Sequence, residues 1–406
     1  MGLYTTTIKT IYKNIKRLIF KDVFRFLIIN EVSPLKYYYI LSKKEEISKL
    51  IKEIKREIDY NKRIVYNNNS WISCNFEGNG CEYTFAGGDG SFNRIDYTDF
   101  CFYVVGSVSY TNRVGEKLED SISSWEPGIV IPYRYMEYRL KLYMINMELK
   151  TALWNFENKD IDCYLFDGSL YSLIIQTHIY GGRINGEIIK SYEEIVEYYK
   201  NYKKDIKNEI YEDLSNNKLT PLTDTVRNIE DNNLRVILEQ VEYIVLLREI
   251  IKNYGDKFVG ISKTSKMSIY SKKYNDGTSI FKTLPDMGIF SIIEGTGYSK
   301  PVNLADKKEV DNDIYYNIHY LKRFNFDINE LYYQFVRLDR RGGVLNITSF
   351  KKLDENFFIN LRDISMRGYP LILKKSHDEV KISDKDMKKC AKLFKLYDSR
   401  DRDKVL

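Results

Sequence analysis

Histidine, cysteine and proline are scarce in this chain, at 3, 5 and 7 of 406 residues. The five cysteines, Cys74, Cys81, Cys101, Cys163 and Cys390, are odd in number and irregularly spaced, with no C-x-x-C pair. That excludes a zinc ribbon or a dithiol redox motif and leaves reduced, mostly buried thiols of a cytoplasmic protein. No apolar run reaches the roughly eighteen residues that a bilayer crossing needs, so no membrane partner is expected. The opening stretch sets lysines inside its apolar pattern and offers no small-residue cleavage site, so no signal peptide is expected either.

What is present is a folded composition, 43% hydrophobic and 30% charged, on a length that suggests two or three structural units. The net charge of +6 is uneven: residues 1–68 hold fifteen Lys/Arg against seven Asp/Glu, a net +8, which leaves –2 for the rest. A basic segment on a nearly neutral body is compatible with nucleic-acid binding, although lysine-rich helix faces are commonly just solvated. The 35 tyrosines accompany abundant Ile, Lys and Asn. They reflect composition bias and do not by themselves argue for base stacking.

Residues 42–63 put Ile47, Leu50, Ile51, Ile54 and Ile58 on one helical stripe, with Ser42 and Glu45 spaced as a capping box. Residues 1–68 are therefore an N-terminal basic helical segment. "EYTFAGGDG" and "FCFYVVGSVSY" (100–110) predict neighbouring strands, and 133–156, free of Gly and Pro, predicts a helix leading into the strand "CYLFDGS". Residues 190–255 form a helical insertion of two helices, the second from about 221 to 253 between Pro221 and Gly255. Strands resume at "KFVGISKT", "GIFSII", "YYQFVRL" and "VLNITSF", and 384–397 closes the chain as a helix.

One phrase occurs twice, "AGGDGSFN" at 86–93 and "LFDGSLYS" at 165–172. Each Asp-Gly-Ser follows an apolar run, which places Asp89 and Asp167 at the carboxyl ends of strands. If those strands are neighbours, the two carboxylates crowd each other and call for a cation, and an all-oxygen site suits Mg²⁺ or Mn²⁺. The order strand–Asp, antiparallel strands, Glu-bearing helix, strand–Asp is that of an α/β, ribonuclease H-like mixed sheet flanked by helices. The helix offers Glu137 and Glu148, about three turns apart on roughly one face. The apolar neighbours of Glu148 favour it as a ligand, with Glu137 as the alternative. His377 follows the apolar, strand-like run in "GYPLILKKSH", a position from which a last ligand or proton-transfer group can reach the site.

Together, "GGDGSFN", "MELKTAL", "YLFDGSLYS", "VGISKTS", "YYQFVRL" and "GYPLILKKSH" appear in the order of the NurA nucleases, which the chain resembles over about residues 84–380. The resemblance implies a ribonuclease H-like core related to the Piwi nuclease domain, in two parts, 69–189 and 256–406, around the insertion. It implies a manganese-dependent DNA nuclease with a two-metal site, Mg²⁺ being the alternative ion. The action expected is 5′ to 3′ exonuclease and single-strand endonuclease activity on DNA ends. By motif, Asp89, Glu148, Asp167 and His377 are the implied catalytic metal ligands, and Lys263 and Tyr369 the implied contacts to nucleic acid. Its implied partners are DNA, a hexameric HerA-type ATPase and a second copy in a homodimer.

Asp286 in "LPDMG" is either a further acid or a turn former, and "VLNITSF" lacks the acid the family tends to place after the "VRL" strand. The competing functions are a two-carboxylate glycosidase and a non-catalytic nucleic-acid- or ATPase-binding subunit that retains the fold.

Overall fold

The computed structural model describes residues 39–67, 69–77, 83–130, 135–177, 192–274 and 285–396; residues 1–38, Cys81 and His178 lie outside them. Residues up to Tyr60 belong to one compact unit and the rest of the described chain to a second. Helix α1 (Lys44–Asn67) starts in the first, with Ile47, Leu50 and Ile51 of its stripe exposed. The expected capping box does not form. Residues 39–42 are already helical, and the Ser42 hydroxyl donates to the Tyr39 carbonyl at 2.7 Å. No helix of the described residues is long and apolar enough to cross a membrane.

The second unit is built on one large mixed sheet. It starts with β1 (Trp71–Ser73) and the long meander β2 (Thr84–Asp96), β3 (Cys101–Arg113) and β4 (Glu119–Val130). Next come β5 (Cys163–Asp167), β6 (Phe258–Ser262), β7 (Gly297–Ser299), β8 (Val302–Asn303), β9 (Tyr332–Arg337) and β10 (Leu345–Ser349). The order across the sheet is β1-β7-β9-β10-β6-β5-β2-β3-β4, with β8 added beside β9. β2, β3 and β4 are antiparallel, whereas β5 runs parallel to β2 and β6 parallel to β5.

The short central strands are near-continuous apolar runs because helices cover both faces of the sheet. Alternation along each strand divides the core in two. Ala86, Tyr164 and Phe166 face the helices α2 (Met136–Asn158), α3 (Leu170–Gln176), α4 (Tyr192–Ser215), α5 (Asp224–Arg227) and α6 (Asn232–Tyr254). Phe85, Cys163 and Leu165 belong to the opposite core. The remaining helices are α7 (Ile269–Tyr274), α8 (Asp286–Ser291), α9 (Asn312–His319), α10 (Glu355–Asp363), α11 (Leu371–Val380) and α12 (Asp384–Leu393). Of these, α10 and α11 complete the second core, and a two-residue hairpin, β11 (Ser365–Met366) and β12 (Tyr369–Pro370), joins them.

Three elements differ from expectation. The single helix over 221–253 is two, because the Asp231 carboxylate takes the amides of Asn233 and Leu234 and starts α6 afresh, while Glu209 binds the amides opening α5. "GIFSII" is not a strand, since α8 covers 286–291. "LILKKSH" is helix α11, not a strand-like run, with Ile372, Leu373, Ser376 and Val380 as its buried face. Short apolar runs do not separate helix from strand by periodicity alone, and helical packing decided both cases.

Buried ion pairs fix α2 against α6. Arg139 meets Glu239 at 2.6 Å, with the Tyr143 hydroxyl donating to the same carboxylate at 2.7 Å. Lys150 meets Glu242 at 2.8 Å and donates to the Thr220 carbonyl at 2.9 Å. Removing one partner strands a buried charge. Glu242→Leu is expected to lower unfolding free energy by about 3–5 kcal/mol in urea titrations, and adding Lys150→Met to recover most of it.

Candidate metal centre

β2 and β5 pair in parallel with Gly88 opposite Phe166, so the next residue of each strand is Asp89 or Asp167. The carboxylates are thereby neighbours, but the repeated phrase has two structures. Asp167 ends β5, and Gly168 leads into α3. Asp89 lies within β2, not at its end, for the strand continues to Asp96 in register with β3.

The glycines of the first phrase make room rather than a turn. A Cβ on Gly88 would lie 2.5 Å from the Tyr164 hydroxyl, and one on Gly90 would lie 2.3 Å from Glu148 Oε1. Sequence reasoning missed Tyr164 and the spacing role of both glycines; the doubled glycine before Asp89 was the available signal.

Ser376 on α11 donates to the Gly87 carbonyl at 3.3 Å, which seats the helix over β2. One residue on, His377 Nδ1 lies 2.7 Å from Asp89 Oδ2, and Asp89 Oδ1 accepts from the Gly90 amide at 2.9 Å. Asp89, Asp167 and His377 offer ligand atoms that all lie within 4.8 Å of one another. Across the site, Asp167 Oδ2 accepts from the Tyr369 hydroxyl at 3.1 Å and lies 3.5 Å from Lys263 Nζ. Lys263 Nζ also sits 4.3 Å from the centre of the Tyr369 ring.

Glu148 comes from the buried face of α2 and enters beneath Asp89 and Asp167. Burial first, then the charges of Asp89 and Asp167, push its carboxyl well above the usual range. Burial likewise raises Asp89, with the His377 hydrogen bond opposing and the charge of Asp167 reinforcing the shift. Burial, then Asp167, raises the Tyr369 phenol, keeping it a hydrogen-bond donor. Glu137 stands apart on the exposed part of α2, paired with Arg94 at 3.0 Å and Lys141 at 3.3 Å.

Two carboxylates and an imidazole thus lie within ligand distance of one another, with the buried Glu148 near enough to feel both acids and Lys263 the nearby cation. Hard oxygen donors with one nitrogen fit Mn²⁺ or Mg²⁺, and mutual repulsion among the acids is what a divalent cation relieves. The donor set therefore fits the expected metal.

Asp286 is not part of this cluster. It is fully buried and accepts from the amides of Ile269, Tyr270 and Ser271 at 2.6, 3.1 and 2.8 Å, holding the start of α7. Burial outweighs those bonds and pushes its carboxyl up to about 6. A folded-state value above the unfolded one means the folded chain holds the proton longer, so stability is lost as pH rises from about 4 through about 6. Urea titrations should show wild type losing stability relative to Asp286→Asn across that window.

The sequence profile of the NurA domain family matches residues 83–382. The probable DNA double-strand break repair nuclease NurA of Methanocaldococcus jannaschii is 37% identical over 372 residues, covering 89% of each chain. The DNA double-strand break repair nuclease NurA of Sulfolobus acidocaldarius is 26% identical, over 66% of this chain and 68% of its own. The crystal structure of the Sulfolobus solfataricus NurA nuclease superposes with a TM-score of 0.64 at 20% identity, covering 90% of this chain and 97% of that one. A NurA structure bound to dAMP and manganese superposes with a TM-score of 0.62 at 12% identity, covering 89% and 98%. The family profile spans β2 to β10, the carboxylate cluster and α11, and the chain belongs to the NurA family.

Proposed function

We propose that this chain is a metal-dependent DNA nuclease that processes DNA ends for double-strand break repair. One observation carries the proposal: Asp89, Asp167 and His377 converge within 4.8 Å, with Glu148 set against them. The relatives named as repair nucleases, and the related structure that holds dAMP and manganese, support the same reading. The strand order β4-β3-β2-β5-β6, with β2 parallel to β5, supports a ribonuclease H-like core.

Asp89, Glu148, Asp167 and His377 would hold the metal, Mn²⁺ in preference to Mg²⁺ and in the two-ion form. When bound, it supplies charge neutralisation and Lewis acidity at the phosphodiester. The chain's own residues do the rest. Lys263 and the Tyr369 hydroxyl, both on Asp167, hold the scissile phosphate in line with the attacking water. The water oxygen bonds to phosphorus as the bond to the 3′ oxygen breaks. As the alternative to ligating the metal, His377, oriented by Asp89, takes the proton of the attacking water and returns it to the 3′ oxygen, which leaves protonated. Exonuclease polarity of 5′ to 3′, single-strand endonuclease action, a homodimer and a HerA-type hexameric ATPase complete the proposal on family membership alone.

End-labelled linear DNA tests it. Degradation is expected with Mn²⁺, none with EDTA, and a loss of about a hundredfold or more in Asp89→Asn and in Asp167→Asn. A folded protein equally inert with Mn²⁺, Mg²⁺ and EDTA, or an unaffected Asp89→Asn, would overturn the assignment. Light scattering behind size exclusion should return twice the chain mass; a monomer would remove the dimer from the proposal.

A further inference from the structure

Two tight turns meet beside the carboxylate cluster, and each carries arginine. The first joins β9 to β10 as "LDRRGGV". Asp339 closes it, accepting from the Arg341 amide at 2.7 Å and, through its carbonyl, from the Gly342 amide at 3.0 Å. The second joins β11 to β12 through Arg367 and Gly368, at φ 53° and 76°. Both of its central residues are left-handed, the arrangement that lets a two-residue hairpin close.

The turns touch backbone to backbone. A Cβ on Gly342 would lie 2.6 Å from the Arg367 carbonyl oxygen, and one on Gly368 would lie 3.4 Å from the Asp339 amide nitrogen. With glycine on both sides, no side chain separates them, and Arg340, Arg341 and Arg367 gather at one exposed place.

None of these three guanidinium groups has an acid or hydrogen-bond partner among the described residues. Neighbouring arginines do: Arg337 donates to the Ser291 carbonyl, and Arg362 meets Asp363 at 3.2 Å. Three exposed arginines without a protein partner on one feature leave their charge available to an anionic ligand. One side chain ties the second turn to the carboxylate cluster. Two residues after Arg367, Tyr369 reaches across to Asp167, its ring under Lys263.

We infer that Arg340, Arg341 and Arg367 form a phosphate clamp that grips the sugar–phosphate backbone of the DNA strand whose scissile phosphate lies at Asp167. The inference rests on the nuclease proposal and extends it to the nucleotides flanking the cut. Guanidinium groups suit this work because their planar fork matches phosphate oxygens and sheds water readily. Contacts of this kind fix register without reading base identity. The clamp also gives the site a direction, since the strand must run from the turns past Tyr369 to the metal.

The experiment measures binding of a fluorescent single-stranded oligonucleotide to the full chain in EDTA, by anisotropy over a range of KCl. Arg340→Gln, Arg341→Gln and Arg367→Gln are each expected to lower the slope of log Kd against log salt by about 0.7, the share of one phosphate contact on a single strand. With Mn²⁺ present, their loss should fall on KM rather than kcat. Lys252→Gln, on the exposed end of α6, removes the same charge elsewhere and should leave the slope at the wild-type value. Unchanged slopes in the arginine variants, or an equal fall in Lys252→Gln, would overturn the clamp. Because binding is read without metal, a wild type that binds in this way but never cleaves would instead count against the nuclease proposal alone.

Discussion

The parallel register of β2 on β5 is the constraint from which the rest of the site follows. Pairing Gly88 with Phe166 brings Asp89 and Asp167 side by side, where two carboxylates repel. A one-residue slip would turn every side chain of a strand to the other face and separate them. The register is held by two cores, because Ala86, Tyr164 and Phe166 fit the α2–α6 side while Phe85, Cys163 and Leu165 fit the other. The acids are thus held together by apolar packing on both faces of the sheet, against their own charge.

Glu148 adds a third acid at greater depth, and its helix cannot move away to relieve the strain. The buried pairs Arg139–Glu239 and Lys150–Glu242 bind α2 to α6 on either side of it. Such pairs add little net stability over apolar packing but penalise any other arrangement of the two helices. On the opposite face, Ser376 and the Asp89–His377 contact seat α11. Candidate metal ligands supplied by rigid elements from both faces make a preorganised cluster, which is the arrangement that the proposed charge-stabilised phosphoryl reaction rewards.

Much of this was legible in the sequence. The two Asp-Gly-Ser phrases mark Asp89 and Asp167, and the Gly-free stretch over 133–156 marks α2. The neighbourhood of the two acids was not, because parallel pairing is a non-local choice. The apolar neighbours of Glu148 already favoured it over Glu137, and the fold agrees: Arg94 and Lys141 draw Glu137 outward, while Gly90 leaves space for Glu148. His377 was legible as a residue but not as part of a helix, since Leu371, Ile372 and Leu373 in a row carry no period. The arginine turns escaped notice because their meaning lies in two glycines that let separate hairpins touch.

The proposed chemistry stands or falls on Asp89 and Asp167 sharing a metal. Crystals grown with Mn²⁺ and measured at the manganese absorption edge test it most directly. A shared metal gives an anomalous peak between the two carboxylates, with His377 and Glu148 around it. A peak on other residues, or none between Asp89 and Asp167 at saturating Mn²⁺, would contradict it.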